Sequence, residues 1–158
     1  MVVGDGDLYA PLLKMVAEHD AGEKIILTGK VPYEEVPSYV AAADICLLPA
    51  YRNEIMMNIV PIKIYEYMAM GKPVIATTLP GLIQEFGFGN GISYVDSAED
   101  VVTKAREMIE RDVVGEEGKK ASALVSGCDW ETITDAFEGQ LNVLIQNRRR
   151  NRSYITQI

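Results

Sequence analysis

Short apolar runs alternate with amphipathic stretches along this chain. "KIILT" (24–28), "ICLL" (45–48) and "VIAT" (74–77) are apolar nearly throughout and bounded by glycine, proline or a polar turn, the pattern of strands covered on both faces. "ISYV" (92–95) reads as a further short strand, and Val2 and Val3 as the end of one entering the turn Gly4-Asp5-Gly6. Between them the period changes to that of a helix. Residues 8–19 place Leu8, Leu12, Leu13, Val16 and Ala17 on one face, and 33–43 place Val36, Tyr39, Val40 and Ala43 on one face, with Pro37 tolerable in the first turn. Another helix opens at Pro61 and stops at Gly71. A fourth is capped by Asp96 or Ser97 and runs to Ile109, and two more cover 116–126 and 130–146. Residues 50–60 read as a loop, Leu79-Pro80-Gly81 as a turn, and "GFGNG" (87–91) as a glycine-rich loop. Apolar strands separated by helices mean a doubly wound, Rossmann-like α/β fold, a parallel sheet with helices on both faces. It is expected to occupy 1–147, followed by a basic tail, 148–158, that is solvated and poorly ordered or docked on something else.

At 158 residues and 48% hydrophobic, the chain suffices for one domain with a core. Its formal net charge of −8 argues against a nucleic-acid partner, which needs a basic face. It leaves room for a small phosphorylated ligand held by a few local donors. No stretch approaches the roughly 20 apolar residues of a membrane span, and no signal peptide is visible at the start. Cys46 and Cys128 fit neither a disulfide framework nor a metal knuckle, and Cys46, inside an apolar run, reads as a buried thiol. A reducing cytoplasm follows, and no metal is expected.

In folds of this class ligands sit at the carboxyl ends of the strands. That rule gathers residues 4–6, 29–32, 49–60 and 77–81 on one rim, where the Pro61 helix begins. Proline at the first helical position leaves the remaining free N–H groups of that turn pointing outward, with the positive end of the helix dipole behind them, a ready anion site. Glu66 lies one to two turns in, a charged residue among Ile64, Tyr65, Tyr67 and Met68. Its two oxygens can accept from two adjacent hydroxyls, as a ribose presents them. Phosphate at the helix start and a ribose diol on Glu66 make the expected ligand a nucleotide. The plainer alternative is a solvated glutamate paired with Lys63 or Lys72. Plainer readings also exist elsewhere: Lys63 as a surface cation, Asp5 as a turn residue, His19 as exposed, Asp44 as a backbone anchor, and Met56, Met57, Met68 and Met70 as packing.

"IVPIKIYEYMAMGKPVIATTLPG" (59–81) resembles the donor-binding signature of family 4 (group 1) retaining glycosyltransferases, nucleotide-sugar-dependent enzymes of the GT-B type built from two Rossmann-like domains. The resemblance extends to "VVGDGD" (2–7), to "ILTGKVPYEEVPSYVAAADICLLPA" (26–50) and to "FGFGNGISYVD" (86–96). It implies that Glu66 is the active-site carboxylate on the donor ribose. It places the backbone of Gly29, Lys30 and Val31 against the nucleobase, and Ile59, Val60, Pro61, Ile62 and Lys63 near the diphosphate and donor sugar. The family often carries a second glutamate, on the donor sugar, where this chain has Asn58. The chain is also expected to begin after the family's first strand, turn and helix, and to lack its N-terminal acceptor domain.

The resemblance therefore implies a UDP-, GDP- or ADP-linked sugar as substrate, no separate cofactor, and a saccharide or lipid-linked acceptor met through the N-terminal domain. It implies transfer with retention in a cytoplasmic protein that can lie against a membrane. The isolated half is expected to be inactive and prone to self-association. Two alternatives stand beside it, a sugar-nucleotide epimerase of the same architecture and a non-catalytic α/β module. The run of residues 61–75 favours the transferase.

Overall fold

Val74 and Ala76 are fully buried, and Ile75 between them is nearly so. They lie in β2 (Val74–Thr77), the central strand of a three-stranded parallel sheet with β1 (Cys46–Leu48) on one side and β3 (Ile92–Val95) on the other, as seen in a computed structural model of the chain. The structure describes the backbone of residues 1–155 and the side chains of 1–148. Contacts divide the chain into two compact units, Met1–Asp44 and the remainder from Ile45 onward, and each is described by itself.

In the second unit each parallel step is made by a helix, as parallel pairing requires. Between β1 and β2 runs α3 (Ile62–Ala69), and between β2 and β3 runs α4 (Pro80–Phe86). After β3 come α5 (Ala98–Glu110), α6 (Val114–Leu124) and α7 (Trp130–Ile155). The strand period of two sends Ile75 to one face, where it packs with Val95 and with Met108 of α5, backed by Val101, Ala105, Val113 and Val114. Val74 and Ala76 point to the other face. There α3 packs on β2 and buries Ile64 and Met68 completely, four residues apart on one side of the helix. At the start of α5, the Ser97 hydroxyl accepts from the Asp100 N–H and the Asp100 carboxylate accepts from the Ser97 N–H, a reciprocal cap that singles out Ser97 from the two expected candidates.

The first unit holds α1 (Tyr9–Glu18), a single 3-10 turn (Tyr33–Glu35) and α2 (Val36–Ala41). Val36, Tyr39, Val40 and Ala43 form the less exposed side of the α2 region, as their spacing predicts. The expected strands at 2–3 and 24–28 are not continuous strands. Val2 pairs with Leu27 and Gly4 with Gly29 as isolated bridges, and Ile26 is 57% exposed.

Four further expectations change. Leu47 is 48% exposed, because β1 is the edge strand and only one of its faces is covered within the unit. Residues 79–81 are not a turn: Pro80 and Gly81 open α4, which buries Leu82 and Phe86 four residues apart. Pro61 caps α3 rather than being its first residue. The 50–60 loop contains a 3-10 turn, Met56–Asn58. The tail expected at 148–158 falls partly outside the described residues: α7 carries the backbone helix to Ile155, while the side chains from 149 on and residues 156–158 are not described. No helix among the described residues is long and apolar enough to cross a membrane.

Candidate functional site

The 49–60 loop leaves the end of β1 and crosses the carboxyl ends of the two neighbouring strands before entering α3. Its path is set by contacts far apart in sequence. The Ala50 N–H donates to the Thr77 hydroxyl at the end of β2, at 3.0 Å. Arg52 forms an ion pair with Asp96, immediately after β3. The Asn53 side chain then accepts from the Met56 N–H at 2.8 Å and starts the 3-10 turn. The turn lies against α4, where Gly81 meets the Met57 and Asn58 backbone. Arg52, Met57, Thr78, Leu79, Pro80, Ile83 and Asp96 line an open cavity of about 380 Å³ on this rim.

The helix that follows is open at its start. Pro61 sits at the cap with φ −66° and ψ 134°, offers no side-chain cap, and no acidic residue occupies the first turn. The Ile64 N–H bonds back to the Pro61 carbonyl at 3.1 Å. Because Pro61 is the cap, Ile62 contributes a free N–H beside that of Lys63. Asn58, Ile59, Ile62 and Lys63 are exposed, and Val60 and Pro61 are half-buried.

Glu66 is half-buried, and its carboxylate makes no hydrogen bond or ion pair with any described residue; the pairing with Lys63 considered from sequence is not formed. Its neighbour Tyr67 titrates above the ordinary tyrosine range because burial disfavours its charged form, with further contributions from Cys46 and from the Glu66 charge. Tyr65 on the adjacent side donates to the Glu85 carboxylate and packs against Phe86, ring centroids 5.0 Å apart. Glu66 is thus a carboxylate held on a helix whose other side is locked in the core. Cys46 is buried as expected, and burial pushes its thiol up to about 11 despite the opposing Lys72 charge.

Gly29, Lys30 and Val31 belong to the other unit. Gly29 is buried with φ +69°, its carbonyl accepts from the Gly4 N–H at 2.9 Å, Lys30 is exposed and Val31 is half-buried. Within the second unit the structure brings together residues 58–66 as one run. It adds Arg52, Thr77, Gly81 and Asp96, which the sequence did not mark as site residues. Arg52, Thr77 and Gly81 fall in the loops that the strand-end rule gathered on this rim, and Asp96 does not.

Residues 1–111 match the family model of the group 1 glycosyl transferases. The chain belongs to this family. It is 35% identical over 82 residues to the amylovoran biosynthesis glycosyltransferase AmsK of Erwinia amylovora, a match covering 51% of this chain and 20% of that protein. It is 33% identical over 87 residues to 2-deoxystreptamine glucosyltransferase of Streptomyces kanamyceticus, covering 55% and 21%. A longer alignment, 26% identical over 132 residues, joins it to the GDP-mannose-dependent alpha-(1-6)-phosphatidylinositol monomannoside mannosyltransferase of Mycolicibacterium smegmatis, covering 82% of this chain and 34% of that one. The chain therefore spans between a fifth and about a third of the length of these three relatives. In fold it is similar to sucrose-phosphate synthase from Thermosynechococcus elongatus, with a TM-score of 0.71 at 21% identity over 87% of this chain and 34% of the other. The Rossmann-like α/β architecture expected from the strand pattern is the one observed.

Proposed function

We propose that this group 1 glycosyltransferase chain is the donor-binding part of a cytoplasmic, retaining enzyme that transfers a sugar from a UDP-, GDP- or ADP-linked donor to a saccharide or lipid-linked acceptor. The observation that carries the reading is the state of Glu66, a half-buried carboxylate with no hydrogen bond or ion pair among the described residues, just beyond an uncapped helix start. A carboxylate placed so has both oxygens available to a diol, and the adjacent N–H groups suit a diphosphate.

In this reading the ribose hydroxyls donate to Glu66; for the other unit, taken by itself, the family resemblance assigns the backbone of Gly29, Lys30 and Val31 to the base. Ile59 and Val60 line the sugar side with Asn58, whose amide bonds donor-sugar hydroxyls in place of a carboxylate. When the bond between the anomeric carbon and the diphosphate oxygen breaks, negative charge builds on the leaving group. The Ile62 and Lys63 N–H groups and the Lys63 ammonium stabilise that charge. The acceptor hydroxyl attacks on the face the diphosphate leaves and gives its proton to the departing diphosphate oxygen, so the glycosidic bond forms with configuration retained. Acceptor-side groups come from the remainder of a protein of the relatives' length, and this chain alone is expected to bind donors without turning them over.

Thermal shift with UDP, GDP and ADP tests the reading. One of the three should raise the melting temperature in a concentration-dependent way. No response to any of them at millimolar concentration contradicts it.

A further inference from the structure

We infer that Thr77 and Gly81 are positioning residues for the sugar side of the donor site, holding the 50–60 loop, and with it Asn58, at the carboxyl rim of the sheet. The inference rests on the donor reading above. Asn58 is exposed at the end of the 3-10 turn Met56–Asn58, so its place depends on the backbone that carries it.

Two contacts fix that backbone to the framework. At the start of the loop, the Ala50 N–H is bonded to the Thr77 hydroxyl, and Thr77 closes the central strand. At the far end, a β-carbon on Gly81 would stand 2.9 Å from the Asn58 carbonyl carbon and 3.1 Å from both the Asn58 Cα and the Met57 carbonyl oxygen. All three are backbone atoms, which cannot rotate aside as a side-chain tip can. Gly81 lies inside α4 and its φ is not positive, so local conformation does not require glycine there. Helix propensity disfavours it. The close approach of the loop is the remaining reason for a glycine, and it identifies the loop as packed on α4 rather than draped over it. Arg52 and Asp96 add a third tie, but both are exposed and water weakens their pair.

The positioning is selective. Ile64 and Met68 are fully buried and anchor α3, so displacing the loop leaves Glu66 and the ribose contact where they are. Loss of Asn58's position should therefore be felt by the sugar and not by the nucleoside diphosphate.

The test is calorimetric titration of wild type, Gly81→Ala and Thr77→Val with UDP, GDP and ADP, and with UDP-glucose, GDP-mannose and ADP-glucose. Thr77→Val removes the acceptor from a half-buried side chain of nearly the same shape, so it carries the test even if Gly81→Ala does not fold. For the nucleotide the wild type prefers, the variants should bind the free diphosphate within about twofold of wild type and the sugar conjugate about fivefold or more weaker, the scale of a lost hydrogen bond. Equal weakening of both ligands, or of neither, overturns the positioning role. A wild type that binds none of the three diphosphates overturns the donor reading itself.

Discussion

A β-carbon on Gly118 would stand 2.1 Å from the carbonyl oxygen of Gly71. Gly71 ends α3 with φ +69°, and Gly118 lies within α6, so this contact of two glycines lets α6 lie directly on the turn that leads from α3 into β2. The helix that carries Glu66 is thereby clamped at its far end.

Gly118→Ala is expected to destabilise the protein by about 1–3 kcal/mol, since the methyl meets backbone and the packing must open, outweighing the helix propensity gained. Gly115→Ala, in the same helix but with open space around it, should instead stabilise by about 0.5–1 kcal/mol. Urea unfolding midpoints for the two variants should move in opposite directions. A Gly118→Ala protein as stable as Gly115→Ala would mean that α6 does not pack on the α3 end.

Cys46 is buried with its thiol raised from an ordinary 9.0 to about 11, whereas Cys128 is exposed. Iodoacetamide at pH 8 should modify Cys128 and spare Cys46, because the thiolate is the nucleophile. The sign of the linkage is fixed: the folded state resists ionisation, so this contribution to stability is complete below pH 9 and is lost as pH rises towards 11. Intact mass after native labelling should show one adduct, and two after unfolding.

Between Trp130 and Arg148 no residue of α7 is buried, and Trp130, Phe137 and Leu144 are each more than 60% exposed. Aromatic and aliphatic side chains left uncovered along one helix are a surface for association. The isolated chain should therefore show a concentration-dependent sedimentation coefficient, and Phe137→Glu should reduce that dependence. A wild type sedimenting as a monomer at every concentration contradicts this.

Periodicity located the elements whose partners lie close by: α5 with its serine cap, the strand "VIAT", and the helix after Pro61 were all legible. It overstated "KIILT", because apolar composition records that a strand could be covered and not whether anything covers it. It missed α4, since Leu79-Pro80-Gly81 carries turn chemistry and only the buried pair Leu82 and Phe86 shows that proline opens a helix there. Glu66 stood out in sequence as a charge among apolar neighbours. Thr77 did not, because its bond to Ala50 spans 27 residues and no local pattern encodes it.

The most direct measurement is calorimetric titration of the preferred nucleoside diphosphate into wild type and Glu66→Gln. Two ribose hydroxyls donating to a charged acceptor should make the substitution cost about 1.5–3 kcal/mol of binding free energy while the fold survives, since the side chain keeps its volume. The 2′,3′-dideoxy nucleotide should bind wild type poorly and lose little more in the variant. An affinity unchanged by Glu66→Gln contradicts the ribose assignment and, with it, the central claim that this helix holds the donor nucleotide.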